Sequence, residues 1–311
     1  MSDKIKVVLD TDIGDDIDDA FALAYLLNSP EIDLVGVTTV FRNTVKRGKM
    51  AVKLADSLGH KVDVYAGENN PIKQDVQALL TEAIRANEKV DELGLYLPPQ
   101  YDQKMDDAKI ADEHAVDAII RLAEKYTNQL TVLCIGPLTN IAKAIERSKA
   151  MHKIHRIVLM GGYDANHHPE WNIRCDPEAA RVVFTSDIPV WSVGLDVTLQ
   201  CTLDSAYLNS LKKQQSSAGQ LMQQMLSRWF EHYAFDIPVM HDPLAASVLT
   251  HDFVSFEPKC VQVDIDHDRG ATVVVPEGTP GSRVVQVATQ VDVSGFLQIF
   301  QERTFQKGGK V

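Results

Sequence analysis

The stretch LDTDIGDDIDDAFAL places six aspartates in ten positions: Asp10, Asp12, Asp15, Asp16, Asp18 and Asp19. Acidic side chains at a helix N-terminus complement its dipole, for about 0.3–1 kcal/mol each, and that could occupy Asp16, Asp18 or Asp19. Asp10 and Asp12 end the apolar run KIKVVLD, where an unpaired charge is very costly. Six carboxylates this close also repel one another and raise their own pKa values unless a cation lies among them. A divalent metal resolves the conflict. Oxygen ligands without His or Cys partners indicate Ca2+ or Mg2+ rather than zinc. An EF-hand fits poorly, because a loop starting at Asp10 has Asp15 where the glycine belongs and Phe21 where the bidentate Glu belongs.

Such a cluster needs a strand to deliver it and a helix to receive it. Runs rich in Val, Ile and Leu (KIKVVLD, IDLVGVTTV, VDVYAG, QLTVLCIG, HRIVLMGG, PVWSVGLDV) alternate with helix-period segments. Helices are expected from about Asp16 to Asn28, Thr44 to Leu58 and Ala111 to Tyr126, and again in PLTNIAKAIERS and DPEAARVVFTS. Near-continuous apolar strands suit a parallel sheet covered on both faces, with right-handed crossovers. The expected fold class is therefore α/β, a doubly wound, mostly parallel, Rossmann-like sheet. Extra helices follow from about Leu203, then shorter strands, CVQVDID, ATVVVP and RVVQVAT, with antiparallel pairing, and a closing helix from about Val293. No linker, repeat or low-complexity tract divides the chain, so residues 1–311 are expected to form a single domain. Sites in such sheets form beyond the carboxyl ends of the strands. Those ends are DTDIGDD, TTVFRN, CIGPLTN, MGGYDAN and GLDV, and a further polar cluster, MHDP, opens a late helix.

The 311 residues are 45% hydrophobic and 24% charged, the profile of a globular protein. A net charge of −12 argues against nucleic acid and against polybasic attachment to a membrane. With no apolar run of spanning length and no leader pattern, a cytoplasmic protein is expected. The scattered Cys134, Cys175, Cys201 and Cys260 suit buried thiols of a reduced compartment. No GxGxxG or GxxxxGK[ST] motif is present, which argues against a nucleotide cofactor.

Taken together, LDTDIGDDIDDAFAL, VTTVFRN, CIGPLTNIA, VLMGG, EWNIRCDPEAA and MHDPLA resemble the nucleoside hydrolases, the inosine-uridine-preferring nucleosidase family, over a span reaching about Leu249. The usual signature is DTDPGxDDA; here it is two residues longer, and the register is anchored on the DDA that must start the helix. The resemblance implies the nucleoside-hydrolase fold and Ca2+-dependent cleavage of the N-glycosidic bond of ribonucleosides, giving ribose and a free base for nucleoside salvage. It implies one Ca2+ per chain, a small-molecule ribonucleoside as partner, and a homodimer or homotetramer. By resemblance, Asp12 is both metal ligand and general base, Asp19 and Asp242 are ligands, and Ile135 contributes its carbonyl. Asp10 stands behind them and orients its neighbours. Asp18, Asn43, Asn166, Glu170 and Asn172 match ribose contacts, and His241 matches the group that protonates the leaving base. An imidazole with a pKa near 6.5 suits that last role.

Two alternatives remain. One is a Mg2+-dependent phosphatase of the haloacid dehalogenase type, whose first strand also ends in DxD, although its motif usually carries Thr or Val where Gly14 stands. The other is a non-catalytic nucleoside-binding protein on the same scaffold. The residues about the base, in the irregular stretch from Glu68 to Lys109 and in the helices from Leu203, leave purine or pyrimidine preference open. Trp229, Phe230 and Tyr233 could stack on a nucleobase, but an aromatic stripe at helical spacing is more often core. His167 and His168 read as solvent-exposed loop residues. Basic residues near the expected site are sparse, which favours an uncharged nucleoside, with Arg42 and Arg174 as exceptions.

Overall fold

The computed structural model describes residues 4–81, 85, 88–162, 165, 168–233 and 237–304. Strand β1 (Ile5–Thr11) runs between β2 (Ile32–Thr39) and β6 (Leu130–Cys134), parallel to both. Around it, β3 (Val64–Ala66), β7 (Arg156–Met160), β8 (Val190–Val193), β9 (Val254–Val263), β10 (Thr272–Val274) and β11 (Ser282–Val291) complete a nine-stranded sheet in the order β10-β9-β11-β8-β7-β6-β1-β2-β3. The chain winds outward from β1 to β3 on one side and through β6, β7 and β8 on the other. The order therefore reverses at β1, the switch point beyond which ligands bind in open α/β sheets.

Burial explains the unbroken apolar strands. Val7, Val8 and Leu9 are all 0% exposed, as required where helices cover both faces. Helix α1 (Asp18–Asn28) buries nine of its eleven residues and packs against the late helix His241–Ser247. That contact brings two segments far apart in sequence to one end of β1.

The expected doubly wound sheet is present, with two differences at its margins. Two of the three C-terminal strands are longer than expected, β9 and β11 at ten residues each, while β10 is cut to three, and β11 lies parallel to β8 while antiparallel to β9. The stretch from Glu68 to Lys109 is not wholly irregular. It contains a short helix (Val76–Leu79), a hairpin of β4 (Lys89–Val90) and β5 (Tyr96–Leu97), and a 3-10 turn (Gln103–Met105). Too short and too polar to show periodicity, these elements left no pattern in the sequence. Among the described residues no helix is long and apolar enough to cross a membrane.

Candidate active site

The end of β1 delivers two carboxylates into the interior. Asp10 is fully buried, and one of its oxygens accepts from the Thr38 hydroxyl at 2.6 Å and from Asn140 Nδ2 at 2.8 Å. Its second oxygen, Oδ2, has no hydrogen-bond partner. Burial pushes the Asp10 pKa up to about 7. Between the two aspartates, the Thr11 hydroxyl donates to Asp19 Oδ1 at 2.5 Å and accepts from the Ile13 amide at 3.1 Å. Asp12 lies against the loop that follows β6. A Cβ on Gly136 would stand 2.7 Å from Asp12 Oδ1, so any larger residue there would push the Asp12 carboxylate aside. Burial raises the Asp12 pKa to about 7, while the Arg47 guanidinium pulls it down and Asp15 pushes it up.

The first turn of α1 and the start of the late helix supply the rest. Asp18, Asp19 and Asp242 are buried, and each offers a carboxylate oxygen within 4.8 Å of the others. The Asp242 amide donates to Asp18 Oδ2 at 3.1 Å. Burial first, and then like charge, raises the pKa of all three well above the usual carboxylate range. The charges acting most strongly on Asp18 and Asp242 are other aspartates. Hard oxygens this close, desolvated and repelling one another, fit a divalent cation. The group that geometry gathers is thus Asp18 with Asp19 and Asp242. Asp12 stands next to it, close enough to raise the pKa of each.

These carboxylates floor a cavity of about 390 Å3 that is also lined by Ile135, Met160, Glu170, Asn172 and His241. Glu170 caps the short helix Trp171–Cys175 by accepting from the amides of Asn172 at 2.9 Å and Ile173 at 3.2 Å. Burial lifts its pKa to about 7 against those donors. Asn172 Nδ2 donates to the carbonyls of Ile135 at 3.1 Å and Met160 at 3.2 Å, holding the ends of β6 and β7 together. His241 Nδ1 lies 2.7 Å from the Thr198 hydroxyl, and burial lowers the imidazole pKa to about 4. Asn43 stands apart from the cavity wall: its Oδ1 caps α2 (Thr44–Ser57) through the Lys46 amide, and its Nδ2 donates to Asp91 at 2.9 Å. Asn166 and His167 lie outside the described residues, and His168 is exposed.

Several contributors escape a reading of the sequence. Arg47 is 0% exposed; its Nε donates to the Phe41 carbonyl at 2.8 Å, and its Nη1 to the carbonyls of Asp12 and Ile13. Its Nη2 pairs with Asp15 Oδ2 at 2.8 Å. One signal pointed to it, since Arg47 shares the buried stripe of α2 with Met50, Ala51 and Leu54 and a cation on an apolar face calls for a partner. Tyr96 had no such signal. Its hydroxyl donates to Asp15 Oδ1 at 2.6 Å, and its ring lies 3.4 Å from the Arg42 guanidinium, itself paired with Glu88 at 2.7 Å. Of the aromatic stripe, Trp229 is core, Phe230 is exposed and Tyr233 lines the cavity.

Comparison with known proteins bears on what such a site does. The family model described as inosine-uridine preferring nucleoside hydrolase matches residues 7–298. The chain is 31% identical to the pyrimidine-specific ribonucleoside hydrolase RihB of Escherichia coli, over 96% of this chain and 97% of that one. It is 28% identical to a probable uridine nucleosidase 1 of Oryza sativa subsp. japonica, over 96% and 95% of the two chains. Among solved structures, a purine-preferring ribonucleoside hydrolase from Gardnerella vaginalis superposes with a TM-score of 0.80 at 31% identity, over 96% of this chain and 98% of that one.

Proposed function

The chain belongs to the inosine-uridine preferring nucleoside hydrolase family and hydrolyses the N-glycosidic bond of ribonucleosides, and we propose which of its residues carry that reaction, acting as one catalytic unit. The observation that carries the reading is the buried aspartate cluster at the end of β1, open to a nucleoside-sized cavity. Members of this family are metal-dependent in general, and the ion proposed here is Ca2+. Asp12, Asp19, Asp242 and the Ile135 carbonyl would hold it, with Asp18 within reach of the same ion. Six to eight oxygens suit Ca2+, which leaves room for water and the sugar hydroxyls. When bound, the ion supplies positive charge that offsets the carboxylates and acidifies a nearby water.

Asp12 acts as general base. Held ionised beside the bound ion and facing the cavity, its carboxylate can take a proton from a water there. As water oxygen bonds to C1′, its proton passes to Asp12 and the C1′–N bond breaks with its electron pair leaving on the base. The sugar acquires positive charge in the transition state, and the buried carboxylates about it favour that charge. Asp18, Glu170 and Asn172 bind the ribose hydroxyls, since amide and carboxylate groups suit a diol that both donates and accepts. Asn43 joins them only by releasing Asp91, and Asn166 remains a proposed contact from the sequence resemblance.

His241 protonates the departing base. To do so His241 must be the imidazolium, with Nδ1–H donating to the Thr198 hydroxyl and Nε2–H passing to the base nitrogen to leave the neutral imidazole. Burial, by lowering the pKa to about 4, disfavours that charged form in the substrate-free protein. Relatives named for uridine or pyrimidine and a neighbour named for purines leave base preference to experiment. We further propose a cytoplasmic homo-oligomer with no nucleic-acid or membrane partner. Release of free base from inosine or uridine tests the reading. Release of phosphate from phosphate monoesters, with no action on ribosides, would favour the phosphatase instead, and riboside binding without turnover would favour a binding protein.

A further inference from the structure

The β4–β5 hairpin lends Tyr96 to the cavity wall, and apart from Leu97, which packs on the core, its apolar side chains are open to solvent: Val90, Leu93 and Leu95 are 60%, 76% and 46% exposed. Polar ties also hold it, and they lead to the loops that form the site. At its turn, Asp91 accepts from Asn43 at the start of α2. At β5, Tyr96 donates to Asp15, and Gln100 Nε2 just beyond donates to the carbonyls of Asp15 at 2.9 Å and Asp16 at 2.7 Å. Asp15 in turn rests on the buried Arg47, whose guanidinium also grips the carbonyls of Asp12 and Ile13.

We propose that Asp15, within the lengthened DTDIGDDIDDA turn, is a positioning residue that latches Tyr96 and its hairpin over the bound riboside by sharing its carboxylate between Arg47 and the Tyr96 hydroxyl. One oxygen serves each partner, so the hairpin is registered to the backbone that carries Asp12. This rests on the nucleoside hydrolase reading. The turn thus links the floor of the site to the hairpin, and a charge-assisted bond adds to the partial burial of Tyr96 and Leu97 in holding the hairpin there.

The test uses Tyr96→Phe, Asp15→Asn and the double variant, with calcium present, measuring kcat and KM on a riboside and amide exchange across residues 88–97. In Tyr96→Phe the lost bond raises KM about three- to tenfold with kcat within about twofold, while Asp15→Asn, which also weakens the Arg47 pair, raises KM at least as much. The double variant is no worse than the poorer single one, because Tyr96→Phe removes, and Asp15→Asn strips the charge from, the same bond, and hairpin exchange speeds up. A KM within about twofold of the parent in Tyr96→Phe, or single effects that multiply in the double variant, would overturn the latch. Should Asp15→Asn fail to fold, Tyr96→Phe decides alone, because it keeps the ring and removes only the hydroxyl. If the parent protein turns over no riboside, the hydrolase reading fails, and exchange alone then judges the latch: faster in Tyr96→Phe supports it, unchanged refutes it.

Discussion

The main-chain amide of Asp242 donates to Asp18 Oδ2 across 224 residues of sequence, joining the start of α1 to the start of the late helix. Two helices thereby present their first-turn carboxylates to one another, an arrangement that repels itself until a cation enters. Ligand removal should expose that strain.

In the metal-free protein, Asp10 and Asp12 hold protons up to about pH 7, whereas the unfolded chain releases them near 3.8. Between those values the folded state binds more protons, so these groups make stability fall as pH rises through the window. On the proposed reading, Ca2+ would take the place of the proton on Asp12 and, through its charge, favour loss of the one on Asp10. Thermal melts with calcium and with a chelator should therefore differ more at about pH 8 than at about pH 5, by on the order of 5 °C for calcium well above its Kd. An equal difference at both pH values would contradict the assignment.

Gly136→Ala places a Cβ against Asp12 Oδ1. Moving the base by a fraction of an ångström should cost about 100-fold in kcat with the circular dichroism spectrum unchanged. Turnover within about threefold of the parent would show that Asp12 does not need its observed position.

His241→Ala should lose more activity on inosine or uridine than on a nitrophenyl riboside, whose leaving group departs without a proton. Kinetics on the two substrate types decide it. Equal losses would remove His241 as the acid.

Arg47→Lys keeps the charge but not the planar fork that serves the Phe41, Asp12 and Ile13 carbonyls and Asp15. Urea unfolding should show a loss of about 2–4 kcal/mol. A loss below about 0.5 kcal/mol would mean that the loops hold their shape without it.

The sheet was legible because its strands are buried on both faces and so carry unbroken apolar runs, as in β1 and β6. The carboxylate cluster was legible because charge at the end of such a run must be compensated. Tyr96 and the hairpin were not, since two-residue strands leave no period and the bonds that fix them run to residues distant in sequence. Arg47 lay between these cases: its place on the apolar stripe of α2 was visible, but its four acceptors come from turns that only the folded chain assembles. The two extra residues of the N-terminal turn gave no indication of purpose until Asp15 was seen between Arg47 and Tyr96.

The central claim is that this chain cleaves ribonucleosides with Asp12 as its base. Purified parent protein and Asp12→Ala, each with calcium, can be incubated with inosine, uridine, cytidine and adenosine while reducing sugar is measured. The parent should release ribose from at least one of them, and Asp12→Ala, still folded, should be slower by at least about 100-fold. No ribose from any substrate, or near-parental turnover in Asp12→Ala, would contradict the account.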